Sequence, residues 1–407
     1  MFSKRCFFHL RECFKECLFN REFWNASLLV IGTCVGGGIT ILPSVMAEQG
    51  CLIGLATLTL SALFAMVSSL LLLEIFSFVK EPTHFFSLFE KNLPRGLHTV
   101  AILIYTFICL ASIVAYISGI ASQLIFLYFP SHVWSCLFVT FLGLFLLNLP
   151  RKILMQINAH LVRLLFICFF FLLLYMVGLF NWRSISWIRR EGALLTSLPI
   201  CLTSFSHQMI IPSLQMSCHK SLLKPAICFG IFMTWFIYVC WILFSFGTLP
   251  LEGPNSLTES YQGSIPITIS LTHLLNSDLL SLLSTVFSIL VLFTSFIGVS
   301  LAFLDFFTES LSQSSPFQKR VRELSSIVLL PSCLFACFIP KIFLYALDLS
   351  GGIGDASLYG LLPAYLVFSG AKRGLFTMNL LHWTKAFFLF LVGSISLGLE
   401  FKYLFFG

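Results

Sequence analysis

The chain divides into long apolar runs separated by short charged connections, and no other feature of the sequence limits its fold so strictly. Taking roughly 17–25 apolar residues as the unit that crosses a bilayer, eleven runs are read. They are Trp24–Ala47, Cys51–Val79, Val100–Leu127, Val133–Leu149, Leu161–Phe180, Ala193–Leu214, Pro225–Leu249, Leu279–Thr308, Leu324–Ile339, Ile342–Val367 and Met378–Leu399. Inside a membrane a backbone N–H or C=O has no water to bond. Only helices and closed barrels cross it, and runs of this length are read as helices. The ninth and tenth have ragged boundaries, because Pro331, Pro340, Gly351, Gly352, Gly354 and Pro363 fall there. Only 10% of the residues are charged, where a soluble domain carries about 25%. The prediction is an all-α polytopic protein of about 11 transmembrane helices, embedded in a lipid bilayer.

The net charge of +7 is scattered between the runs instead of forming a patch, which argues against nucleic acid as a partner and for a topology signal. If the N-terminus is cytoplasmic, it and the alternate connections hold 19 of the 24 Lys and Arg residues. That is the bias expected of cytoplasmic loops. One missed or invented crossing would scramble it. The exception, "NWRSISWIRREG", puts Arg183, Arg189 and Arg190 outside, and its tryptophans suggest an interfacial segment. The longest polar connection, "PLEGPNSLTESYQGSIP", carries two glutamates and no basic residue and falls outside. Residues 1–22 mix apolar and charged side chains without an uninterrupted apolar core, so a cytoplasmic amphipathic segment is expected there and not a cleaved leader. Residues 23–407 then form a single transmembrane domain. None of the 14 cysteines forms a C-x-x-C, and most lie in apolar runs, where they read as small fillers. No metal site or cofactor is expected. No phosphate-binding loop, zinc-protease or nucleophile-elbow motif is present in the sequence.

Two of the runs contain helix-hostile sequence. In the first, "GTCVGGGITILP" brings Gly32, Gly36, Gly37, Gly38 and Pro43 together. In the sixth, "LPICLTSFSHQMIIPSLQ", Pro199 and Pro212 bracket Thr203, Ser204, Phe205, Ser206, His207 and Gln208. Irregular backbone at membrane depth is tolerated where it is buried in protein or lines a cavity. Two interrupted segments five spans apart are what an inverted five-helix repeat produces, and in such transporters half-helix ends face the substrate. The alternative for the glycines is close helix packing, which Gly32-x-x-x-Gly36 satisfies by itself. The alternative for the sixth run is a proline-kinked helix with hydroxyls bonded to its own carbonyls.

The first motif resembles the first-helix signature of the bacterial aromatic amino acid permeases, the tryptophan/tyrosine family of proton symporters, G-T-x-[IV]-G-x-G-x-x-x-x-P. Gly32, Thr33, Val35, Gly36, Gly38 and Pro43 match it, and Gly50 falls where the family has a glycine. "LLLLEIF" around Glu74 is similar to the family's second helix, and "FTSFIGVSLAFLDFFTE" with Asp305 to its eighth. The likeness spans nearly the whole chain and is greatest to the tyrosine-specific members. It departs in the sixth run, where the family pattern is T-S-F-G-F-H-G-S-x-P-S. Here His207 comes one position early and both glycines are gone, which puts its facing direction in question.

The resemblance implies a LeuT-type 5+5 inverted repeat with helices 1 and 6 broken, in a bacterial inner membrane, with the N-terminus cytoplasmic. Repeat one would span about 23–181, repeat two about 193–370, and an extra helix about 376–400. It also implies import of an aromatic amino acid, tyrosine foremost, with protons. In that reading the amides of Gly36, Gly37 and Gly38 take the substrate carboxylate. Carbonyls near Gly32 and Thr33 take the ammonium. Ser204, Phe205, Ser206 and His207 or Gln208 face the ring. Glu74, His207 and Asp305 are the proton-coupling candidates, because ionisable groups at membrane depth are costly and are functional candidates by default. For Glu74 a helix–helix hydrogen bond is the competing reading, for Asp305 an ion pair with Lys319 or Arg320, and for His207 an interhelical bond. Sodium coupling would instead use the first-helix carbonyls with Thr294 and Ser295. A membrane-embedded enzyme would need His, Asp or Glu clustered on loops at one interface, which the sequence lacks.

Overall fold

The computed structural model describes residues 20–78, 84–189, 195–274, 278–310, 317–372 and 379–406. Most of the expected amphipathic N-terminal segment lies outside them. Among the described residues every regular element is helical.

Chain order gives α1 (Arg21–Cys34), α2 (Gly37–Met46), α3 (Cys51–Phe78), α4 (Phe85–Asn92), α5 (Arg95–Phe126), α6 (His132–Leu147) and α7 (Arg151–Leu179). There follow α8 (Leu198–Ser204), α9 (Ile211–Ser217), α10 (Lys220–Thr248), α11 (Leu257–Gln262), α12 (Ile267–Leu274) and α13 (Asp278–Ser310). The last are α14 (Phe317–Phe338), α15 (Ile342–Leu349), a π-helix over Ser350–Leu361, α16 (Leu362–Lys372) and α17 (Leu380–Phe406). Six of these helices are long and apolar enough to cross a membrane unbroken, and seven crossings result if α1 and α2 count as one span bent by 50°. The other expected spans are short, as α6 and the apolar Glu323–Phe338 part of α14 are, or interrupted, as at α8–α9 and at the π-helix, so length alone does not mark them.

Helix ends follow local chemistry. Asn20 accepts the Glu22 amide at 2.8 Å and starts α1. The "NWRSISW" connection supplies carbonyls to the first amides of α3: Cys51 donates to Ser186 at 2.9 Å and Leu52 to Trp187 at 3.0 Å. Those amides have no partner within the helix. Gly50 permits this approach, with φ +89° and an absent Cβ that would stand 2.9 Å from Ile188 Cα. α13 packs against α5 and α7, α10 against α1 and α3, and the π-helix against α17, α8 and α5. The perimeter displays large apolar side chains such as Phe141, Phe170, Phe335 and Phe390, as lipid contact requires. α11 lies on α2 and closes over the second half of the first span.

Candidate functional site

Residues of the two breaks meet at the centre of the bundle. α1 ends at Cys34 and α2 starts at Gly37, with Gly36 in extended backbone between them (φ −126°, ψ −146°). Gly32 and Thr33 lie in the last turn of α1, before the break; Thr33 Oγ1 donates to Leu29 O at 2.7 Å, and Gly32 packs on Val162. Their carbonyls are among those for which a helix end supplies no intrahelical donor. The sixth run breaks after α8. Phe205 to His207 are non-helical, a 3₁₀ turn covers Gln208–Ile210, and α9 follows with Pro212 at its start.

The three consecutive glycines are where neighbouring helices press on the backbone. A Cβ on Gly36 would collide with Ser295 of α13, and one on Gly38 with Ser204. A Cβ on Gly37 would stand 3.0 Å from both Leu347 Cδ1 and Tyr116 Cε1. In this conformation, therefore, side chains of four other helical segments close on the first break. Ser204 hydrogen-bonds Ile200 O at 2.7 Å, within its own helix. Tyr238 of α10 joins the two breaks: its hydroxyl lies 2.6 Å from Cys34 O and 3.0 Å from Ser204 O, the carbonyls that end α1 and α8. Phe205 is buried, its ring edge-on to Tyr238 with centroids 5.4 Å apart. No sequence signal singles out Tyr238, one aromatic residue within an apolar run.

His207 is wholly buried, and both of its ring nitrogens are engaged. Nδ1 is 2.8 Å from Phe205 O and Nε2 2.8 Å from Ser69 Oγ on α3. Gln208, also buried, has an Oε1 without a hydrogen-bond partner, and the same holds for Ser295 Oγ beside Gly36. Thr294 donates within α13 to Val291 O at 3.1 Å. Ser206 turns the other way, donating to Asp355 Oδ1 at 2.9 Å. Asp355 sits in the π-helix, a third irregular segment that the glycine-rich tenth run signalled only as a ragged boundary.

The other two coupling candidates stand apart from the breaks. The sequence places Glu74 deep in its span. In the structure it lies near the end of α3 beside two lysines and a histidine: Lys385 at 3.0 Å, Lys224 at 3.7 Å and His382 at 3.4 Å. Asp305 pairs with Arg151 of α7 at 3.0 Å. Both carboxylates have charged partners within contact, as structural ion pairs do.

A bent first span and a broken sixth, packed against each other inside a bundle of apolar helices, define a membrane transporter of the LeuT-type fold. The Eremococcus coleocola manganese transporter, solved in complex with an aromatic bis-isothiourea substituted compound, superposes with a TM-score of 0.61 over 95% of this chain and 88% of that one, at 13% identity. The sequence pattern of the tryptophan/tyrosine permease family matches residues 20–396, and the chain belongs to that family. Among relatives, tyrosine-specific transport system 1 of Haemophilus influenzae is 27% identical over 80% of this chain and 83% of its own length. The tryptophan-specific transport protein of Shigella flexneri is 24% identical over 85% and 86%.

Proposed function

We propose that this chain imports an aromatic amino acid, with tyrosine preferred, across a bacterial inner membrane by proton symport and alternating access. The observation that carries the reading is the contact of the two breaks, Gly38 against Ser204 with Tyr238 bonded to both, in a member of an aromatic amino acid permease family. The first α2 amides, at Gly37 and Gly38, take the substrate carboxylate, since a helix N-terminus favours an anion. Carbonyls at the end of α1 take the ammonium. On the ring side the free Oε1 of Gln208 meets the substrate, while His207, held by Ser69 and Phe205 O, fixes the shape of the break. A bundle of the first, second, sixth and seventh spans, drawn from both five-span repeats (23–181 and 193–370), rocks to expose this centre alternately to the two sides.

Uptake of labelled tyrosine, tryptophan and phenylalanine into proteoliposomes under imposed proton or sodium gradients tests this. The expected result is proton-driven accumulation with tyrosine fastest. Absence of gradient-driven uptake of all three overturns the reading, and tryptophan accumulating faster than tyrosine overturns the preference.

A further inference from the structure

The Asp355 carboxyl is 1% exposed, yet it contacts no cationic side chain among the described residues. One oxygen accepts the Ser206 hydroxyl at 2.9 Å, and the other, Oδ2, is buried with no hydrogen-bond partner. The groups facing it from the packed elements are neutral or acidic. Cys109 and Tyr116 face it from α5, and Tyr359 from its own π-helix; from the sixth span come Ser206 and the Thr203 hydroxyl, which also neighbours the carboxyl but donates its proton to Leu347 O at 2.8 Å. His207, next to Ser206, is turned to Ser69 and its own backbone. On α17 it is Glu400, a second buried carboxyl, that packs on Gly352, and it supplies no cation. An ionised carboxylate in such surroundings has its desolvation cost uncompensated.

A proton is the cation that fits this place without moving any neighbour, and Oδ2 is free to receive it. Ionised, Asp355 holds the Ser206 hydroxyl as an acceptor. Once Oδ2 is protonated, Oδ1 is a neutral and weaker acceptor, so the charge-assisted bond that holds the Ser206 hydroxyl loosens and the hydroxyl is freer to turn to another acceptor at the break of the sixth span. The π-helix sets up this arrangement. Gly351 presses on Pro199 O and Thr203, and Gly354 on Ile108, so the backbone that carries Asp355 is wedged between the sixth and third spans. Wide helical turns of this kind recur at functional sites.

We infer that Asp355 takes up and releases the transported proton, and that Ser206 passes its protonation state to the substrate-facing break. This rests on the reading of the chain as a proton-coupled permease. It replaces Glu74 and Asp305, whose cationic partners already balance their charge, as the seat of coupling.

The test compares Asp355→Asn with the wild type in proteoliposomes, by uphill accumulation, substrate-driven internal acidification and counterflow exchange of labelled tyrosine. Asp355→Asn is expected to lose accumulation and acidification and to keep counterflow. Uphill accumulation with acidification equal to the wild type overturns the inference. So does loss of counterflow and substrate binding together in a folded variant, since that marks Asp355 as an ammonium ligand. Wild-type vesicles that take up no aromatic amino acid overturn the permease reading instead. If the variant fails to fold, dicyclohexylcarbodiimide on the wild type decides, because it adds to protonated carboxyls in apolar surroundings. Mass spectrometry should find the adduct on Asp355, with labelling slowed at alkaline pH. An adduct on other carboxyls with Asp355 unmodified overturns the assignment.

Discussion

Tyr238 has one hydroxyl proton and two carbonyls to share it, Cys34 O and Ser204 O. Removing only the oxygen, with Tyr238→Phe, keeps the ring against Phe205 and takes the side-chain donor from both carbonyls; Cys34 O retains the Gly36 amide at 2.7 Å, while Ser204 O loses the bond that ties it to the first break. The cost of a buried group left unpaired is about 1–3 kcal/mol. A lower melting temperature in detergent and slower tyrosine uptake are expected; an unchanged melting point and rate would show that the bond fixes nothing. Gly37 argues through volume. Leucine there has no room beside Leu347 and Tyr116, so Gly37→Leu should abolish uptake while the protein still inserts, and normal uptake would sink the assignment. His84, in the connection between α3 and α4, argues through charge. Burial pushes it down to about 4, against the field of Glu309 and with that of Arg151. An unfolded chain protonates the same imidazole near the ordinary value of about 6.5. Between those values the unfolded state binds more protons, so the His84 contribution is complete above about 6.5 and fades as pH falls toward about 4. His84→Leu should flatten the fall of melting temperature across that window, and an equally steep fall would refute it.

At the scale of elements, α4 has no side-chain cap of its own, and a carboxylate from another helix serves. Glu309 of α13 accepts the His84 amide at 3.0 Å, the Ser87 amide at 3.3 Å and the Ser87 hydroxyl at 2.6 Å. A negative group at a helix N-terminus is worth about 1–2 kcal/mol. Glu309→Ala should raise hydrogen exchange across His84–Asn92, with Glu309→Gln partly restoring protection; exchange unaltered by Glu309→Ala would remove the cap from the account. The capping was not legible in sequence, since nothing in "THFFSLFE" names a partner some 220 residues on. The break at Gly36 was legible, because three adjacent glycines with Pro43 five residues on weaken a continuous helix, although Gly37, Gly38 and Pro43 themselves lie inside α2. The π-helix was half legible. Gly351, Gly352 and Gly354 are each required by a different neighbour, respectively Pro199 with Thr203, Glu400, and Ile108. Such glycines mark crowding, but they do not carry the period of a wider helix. Nor does the sequence pair Asp355, the residue after Gly354, with Ser206 some 150 residues earlier; only the fold sets the two together.

Outside the central site, many of the polar contacts between elements fall at two ends of the molecule. One end holds Glu22 with His219, Glu74 with Lys224, His382 and Lys385, Arg151 with Asp305, and Glu309 with α4. The other holds Gln49 with Ser197, Cys51 with Ser186, Asn181 with Gly247, Arg189 with Glu252, and Gln123 with Thr268. The Arg189–Glu252 pair, 2.6 Å apart but with the glutamate 65% exposed, is a surface pair that contributes under about 1 kcal/mol. Its meaning is topological: it ties two connections that the Lys and Arg bias assigns to the same face. The basic residues at the first end, including Lys224, Arg151 and Lys385, are among those assigned to the cytoplasm. If eleven crossings connect these ends, the two termini lie on opposite faces. Alkaline phosphatase, which folds to an active enzyme only outside the cytoplasm, should then be active when fused after Gly407 and inactive when fused after Lys220. A green fluorescent protein at the same two positions should give the reverse. Phosphatase activity at Lys220 with none at Gly407 would invert the orientation. Fluorescence at both positions would mean an even number of crossings between them, and one of the short or interrupted segments beyond Lys220, α14 or α15–α16, would then re-enter on the side it left.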